Sequence, residues 1–343
     1  MKFDYIIGNP PYQDSGIGNN TKAPSIYHDF MDASYKISNK VLLITPARFL
    51  FDAGDTPKKW NRKMLSDYHL KVLKYEQDSN TIFAGKDIKG GLVITYRDSS
   101  KNFGAIKVFT HYEELNSILR NVINKRNFIG LNTIVFSPVA FKFTQTMHNE
   151  HPNLKEKLSK GNEFEVKTNV FDTISEVFFD EKPKDNNSYV GIYGRKKSQR
   201  FLKFINEKYI FNNTNLLNYK VLLPEANGKG ELGEILSTPF VAPPMTGHTQ
   251  TFISIGKFDT EQEANNCLKY IKCKFTRALL GTLKITQHNS ISVWKNVPLQ
   301  NFTNKSDIDW SKSVHDIDQQ LYKKYGLDEK EIEFIESHVK EMD

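Results

Sequence analysis

The first residues with chemistry in them are Asn9-Pro10-Pro11-Tyr12, which follow an apolar, strand-like run from Phe3 to Ile7. Two prolines end a strand by removing two ladder donors and holding the backbone extended. The tip presents an amide, a rigid carbonyl and an aromatic ring. A plain strand-to-loop stop would look the same, yet at average residue usage this tetrapeptide arises by chance in only about one chain in a thousand of this length. Its groups suit attack by an exocyclic aromatic amine such as adenine N6, a poor nucleophile because its lone pair is delocalised into the ring. If the Asn9 side-chain oxygen and the Pro10 carbonyl each accept one N–H, the nitrogen is drawn toward a tetrahedral shape and the lone pair is freed. Acceptors fixed in advance cost little reorganisation at the transition state. Tyr12 would stack on the base and hold it within reach of a methyl donor. The attack needs no general base, because the methylated amine loses its proton afterwards.

A tip of this kind must be positioned by a sheet. Strand patterns at 3–8, KVLLIT (40–45), LKVLKY (70–75) and GLVITY (91–96) alternate with helical patterns near 25–38 and 57–66. In the first helix Ile26, Phe30, Ala33 and Ile37 fall on one face. Strands separated by helices predict an α/β layered sheet, largely parallel, and ligands of such sheets bind beyond the carboxyl ends of the strands. After about residue 111 the alternation is lost. Helices are legible at 112–123, at 260–280 behind Thr260…Glu263, and at 328–341 behind Asp328…Glu331, the last two with capping-box spacing. The reading is a first domain over 1–110, a mixed second domain over 111–300 and a helical tail over 301–343.

Composition bounds the function. At 343 residues and 38% hydrophobic content the chain can bury full cores,. It has no run of about 18 apolar residues and no basic-then-apolar leader, so the expectation is a cytoplasmic protein without a membrane partner. Net charge is +7, with +7 over 111–300 and −5 over 301–343; a basic body suits a polyanion such as nucleic acid. Cys267 and Cys273 lie six apart, a spacing that fits neither a zinc knuckle nor a CxxC pair, so no metal is expected and both read as reduced packing residues.

FDYIIGNPPY resembles the catalytic motif of adenine-N6 DNA methyltransferases, particularly the gamma-class, TaqI-like and type IIG enzymes of restriction–modification systems. KVLLITPARFL is similar to that family's next strand, and NTIFAGKDIKGGLVITYRD to the segment whose aromatic residue covers the other face of the flipped base, a role that falls by this match to Phe83. Read from the residues alone, Phe83 is a core phenylalanine. The resemblance covers roughly 1–110. It implies a partial Rossmann-like methyltransferase sheet followed by a mixed α+β target-recognition domain, with Asn9, Pro10, Pro11 and Tyr12 as catalytic residues. It also implies S-adenosylmethionine as cofactor, double-stranded DNA as substrate, and base flipping.

The family pattern has a gap in this chain. S-adenosylmethionine is normally held by a glycine-rich loop upstream of Asn-Pro-Pro-Tyr, on the strand that pairs with the catalytic one, and eight residues cannot contain it. The expectation is therefore a companion subunit, or a missing N-terminal segment, that carries the cofactor site and covers the Phe3–Ile7 edge. A candidate downstream is Gly228, Gly230 and Gly233, a G-x-G-x-x-G after an apolar run, although Pro239, Pro243 and Pro244 stand where its helix should continue; a glycine-rich turn is the preferred reading. For DNA contact, Arg195, Lys196, Lys197, Arg200 and Lys203 lie within nine residues and could neutralise phosphates or form a solvated face. Gln250, Gln287 and Asn289 have amides that could pair with adenine edges. Two rivals stand beside this reading. One is a protein-glutamine methyltransferase with a similar tip, disfavoured by the long basic region. The other is a non-catalytic DNA-binding specificity subunit.

Overall fold

The computed structural model describes residues 3–342 apart from 15–23, 53–54, 86–87, 89, 197–198, 212–214 and 285. The chain divides into two units, Met1–Asn124 and Lys125–Asp343. The first contains β1 (Ile6–Gly8), α1 (Tyr27–Ile37), β2 (Lys40–Pro46), α2 (Lys58–Leu65), β3 (Leu70–Glu76), β4 (Leu92–Asp98) and α3 (Glu113–Ile123). The helix expected to open the second domain therefore closes the first: Ile118 and Val122 of α3 are fully buried.

The sheet order in this unit is β1-β2-β4-β3. β1 runs parallel to β2, with Ile6 opposite Val41 and Gly8 opposite Leu43, while β4 is antiparallel to both β2 and β3. The α/β class holds, but the sheet is mixed rather than largely parallel. Parallel neighbours need a crossover of about a dozen residues or more, usually a helix; among the described residues between β3 and β4 there is only a 3-10 turn, Ser79–Thr81. β4 consequently returns antiparallel between the two earlier strands.

One face of the sheet is packed. Val41, Leu43, Leu70 and Val93 bury against Tyr27 and Met31 of α1 and Trp60 and Met64 of α2. This reverses the expected face of α1. Of Ile26, Phe30, Ala33 and Ile37, read as its core stripe, Ile26 is half-buried and the other three are exposed, with Phe30 at 43% and Ile37 at 39%. The helix carries two apolar stripes, and the one at Tyr27 and Met31 fills the core.

The second unit begins with β5 (Val135–Phe136) and three short helices, α4 (Gln145–Glu150), α5 (Pro152–Lys155) and α6 (Val170–Thr173). Six strands follow: β6 (Tyr189–Lys196), β7 (Gln199–Asn206), β8 (Tyr219–Pro224), β9 (Phe240–Ala242), β10 (Thr246–His248) and β11 (Phe252–Phe258). They form two sheets, β10-β6-β7 and β5-β11-β8-β9. The chain ends with α7 (Glu261–Lys272), α8 (Lys274–Gly281), α9 (Val314–Tyr325) and α10 (Glu329–His338).

The Thr260 hydroxyl accepts from the Glu263 amide at the start of α7, and Asp328 with Glu331 forms a complete capping box on α10. Cys273 sits between α7 and α8, and both cysteines are buried and unpaired, their thiols pushed up by burial. Residues 301–343, expected as a tail, are integral to this unit, with Ile317, Leu321 and Ile335 buried. No helix among the described residues is long and apolar enough to cross a membrane.

Candidate active site

β1 ends at Gly8, and Asn9, Pro10 and Pro11 follow it outside any regular element. Asn9 and Pro11 are exposed, and Pro10 and Tyr12 are half-buried. Tyr12 is pinned by its backbone: its carbonyl accepts from the Ile26 amide at 3.1 Å, and Gln13 bridges antiparallel to Ser25. The Tyr12 ring packs at the margin of the sheet core. Its hydroxyl is buried without a hydrogen-bond partner among the described residues. Burial raises the phenol's pKa, and the nearby Asn9 side chain opposes the shift.

Beyond the carboxyl ends of β1 and β2 lies a cavity of about 270 Å³ walled by Tyr12, Tyr27, Pro46, Arg48, Asp55 and Ile88. Tyr27 is buried, and its phenol is pushed up to about 12, by burial first; the Thr56 hydroxyl and Arg48 oppose the shift and Asp55 adds to it. The loop before β4 is fitted to this end of the sheet by glycine. The Gly91 carbonyl accepts from the Ala47 amide at 3.0 Å. Gly91 has φ +77°, and a Cβ there would collide with the Glu76 carbonyl. Gly90, at φ +88°, lies so close to the Arg48 stem that a Cβ would fall 2.8 Å from its Cγ. Arg48, Asp55 and Tyr27 had not been singled out from the sequence. The available signal was position: Pro46-Ala47-Arg48 ends β2 at the same edge at which Asn9 ends β1. Phe83 does not line the cavity; Ile88 of the same loop does. Phe83 is half-buried, its amide bonded to the Ser79 carbonyl at 2.8 Å.

The cofactor candidates Gly228, Gly230 and Gly233 belong to the second unit, and their geometry does not fit the group. All three have positive φ, and no helix follows them. The loop closes on an internal anion: Glu234 Oε2 accepts from the Lys229 amide at 2.8 Å and the Gly230 amide at 3.3 Å. A Cβ on Gly228 would collide with that carboxylate, and one on Gly233 with the Val339 backbone. Lys284, 2% exposed, completes the knot with an ion pair to Glu234 and a 2.8 Å bond to the Asn227 carbonyl. Burial works against the Glu234 charge, but Lys284 and the two amides hold its pKa below the usual range. The turn is a structural one, and its Lys229 and Gly230 amides are occupied.

The DNA candidates separate into committed and available groups. Lys203 is ion-paired with Asp180 at 2.7 Å. The Gln250 amide donates to Glu165 at 2.8 Å. Asn289 is fully buried and donates to the Pro224 carbonyl at 2.9 Å, so it is a packing residue rather than a base reader. Gln287 is exposed, with its backbone carbonyl bonded to the Asn227 amide. Arg195 and Arg200 face each other across the β6–β7 ladder. Lys196 ends β6, and Lys197 lies outside the described residues.

A strand-end Asn-Pro-Pro-Tyr beside an aromatic-walled cavity is the motif that resembles the adenine methylases of restriction–modification systems, and comparison with known proteins finds the same likeness. Residues 1–83, about a quarter of the chain, match the family described as Eco57I restriction-modification methylase. Over 95 residues the chain is 35% identical to an uncharacterized adenine-specific methylase of Mycoplasma pneumoniae (strain ATCC 29342 / M129 / Subtype 1), covering 27% of this chain and 22% of that one. A solved structure, the type IIG restriction endonuclease BpuSI, aligns over 92% of this chain and 48% of its own at 10% identity, with a TM-score of 0.29. The chain thus spans about a fifth of the curated relative and about half of BpuSI.

Proposed function

We propose that this chain carries the catalytic tip and the DNA-contacting region of an adenine-N6 DNA methyltransferase of the restriction–modification type. The observation that carries the reading is Asn9-Pro10-Pro11-Tyr12 at the carboxyl end of β1, with Tyr12 in the wall of the cavity. A flipped adenine stacked on Tyr12 places its N6 hydrogens toward the Asn9 side-chain oxygen and the Pro10 carbonyl. Both acceptors tighten as the nitrogen becomes tetrahedral, so they favour the transition state over the bound base. S-adenosylmethionine supplies the methyl group in this family, and the glycine turn at 228–233 does not fit it.

The open side of the sheet supports a source outside the described fold. Among the described residues β1 is a sheet edge; Ile7 on it is 77% exposed, and Phe3 and Tyr5 just before it are 48% and 61% exposed. They adjoin the uncovered stripe of α1 through the Phe3 amide, which donates to the Ile37 carbonyl at 2.8 Å. An apolar free edge of this kind is one that proteins normally cover. A further polypeptide segment, in the same or a second chain, would pair with β1 and bring the cofactor site.

The test is an Asn9→Ala allele in the cell that makes the protein, followed by genome-wide mapping of N6-methyladenine. Loss of one methylated sequence motif is expected. An unchanged methylation map refutes the catalytic assignment and leaves the non-catalytic specificity subunit.

A further inference from the structure

β6 is paired with β10 at Gly191–Tyr193, and beyond that β6 and β7 run on as a two-stranded ribbon; its root is buried at Val190, Ile192 and Ile205, while Gln199, Arg200 and Phe201 at its far end are exposed. Arg200 is held there as a fixed plate. Its guanidinium lies 3.8 Å from the centroid of the Phe240 ring, and its Nη2 donates to the Thr238 carbonyl. Phe240 is itself wedged edge-on between Tyr193 at 5.0 Å and Phe252 at 6.0 Å. Thr238 has φ +31°, a conformation non-glycine residues seldom adopt, so the carbonyl that steadies Arg200 is held at some cost in strain,.

Arg195 stands directly across the ladder from Arg200. Among the described residues neither arginine has a carboxylate partner, in contrast to Lys203 with Asp180. Two like charges on one rung repel, and the arrangement is relieved when an acceptor arrives.

We infer that Arg200 is a base reader, taking the O6 and N7 acceptors of a guanine in the major groove of duplex DNA; the inference rests on the DNA-methyltransferase reading above. The major groove admits a two-stranded ribbon, and a planar guanidinium meets both guanine acceptors at once. Of the five donors on the fork, the Thr238 carbonyl engages one. Stacking on Phe240 fixes the plane of the rest, which matters for a bidentate contact and is irrelevant to a point charge on a phosphate.

The experiment is selection of the full chain on a pool of randomised duplexes, with the salt dependence of affinity measured in parallel for the parent, Arg200→Lys and Phe240→Leu. The parent is expected to enrich a sequence with a fixed guanine. Arg200→Lys keeps the charge, so it should bind unselected duplex within about twofold of the parent, with the same salt slope. Its discrimination at the guanine should fall about tenfold or more. Phe240→Leu, which removes the platform and keeps the arginine, should shift the same position in the same direction. A lysine variant that enriches the parent's sequence undiminished overturns the assignment alone. A parent that enriches no sequence overturns both the assignment and the DNA reading beneath it.

Discussion

Replacing Glu234 by Gln tests whether the glycine turn is a structural knot. The carboxylate is the partner of Lys284, which is 2% exposed, and accepts from two backbone amides. Gln keeps the shape but removes the charge and replaces one oxygen by an N–H donor, which must face either the Lys284 ammonium or the two backbone amides,. Removing one member of a buried pair costs about 3–5 kcal/mol, most of it from the charge left behind. For a unit of the size of Lys125–Asp343, 3 kcal/mol lowers Tm by about 6–12 °C. Lys284→Met should cost less, because the Glu234 carboxylate retains both amides. The double variant should be more stable than the sum of the two singles by more than about 1 kcal/mol, since it strands neither charge. Urea unfolding of the four proteins gives all the terms. A Glu234→Gln cost below about 1 kcal/mol, or strict additivity, would refute the reasoning.

Asp318 of α9 accepts from the Lys274 and Phe275 amides, both at 2.9 Å, at the start of α8, and burial pushes its carboxyl up to about 6. A raised carboxyl stabilises the fold fully below its unfolded pKa of 3.8, and that contribution is lost as pH rises through about 6,. Melting curves between pH 4 and 7 should show the parent losing up to about 3 kcal/mol that Asp318→Asn does not lose; parallel curves would discount the shift. In calorimetric titration the purified chain should give no micromolar S-adenosylmethionine binding, and a clear micromolar isotherm would return the cofactor site to this chain.

The strand end before Asn9-Pro10-Pro11-Tyr12 was legible because two prolines after an apolar run leave few alternatives. The cavity behind it was not, since Arg48 and Asp55 come to Tyr12 only through the pairing of β2 with β1. Helical spacing marked Ile26, Phe30, Ala33 and Ile37 as the buried face of α1, but periodicity does not say which of two apolar stripes has a partner, and Tyr27 and Met31 took the core. The parallel expectation failed where β3 and β4 are joined without a helix. The glycine spacing at 228–233 was read as a turn in preference to a cofactor loop, and what sequence could not reveal is that Glu234, one residue on, turns back to fill it. Asn289 likewise looked available until its amide was placed against the Pro224 carbonyl.

The central claim is that Asn9 accepts from the reacting amine in the transition state. It is tested most directly by the rate of methyl transfer from radiolabelled S-adenosylmethionine to duplex DNA, with the assembly purified from the cells that make it. Asn9 is exposed, so Asn9→Ala should fold normally and hold duplex with the parent's affinity, while the single-turnover rate falls about 10²- to 10³-fold, the scale of losing one preorganised polar contact. An Asn9→Ala assembly that methylates at the parent's rate would contradict the account.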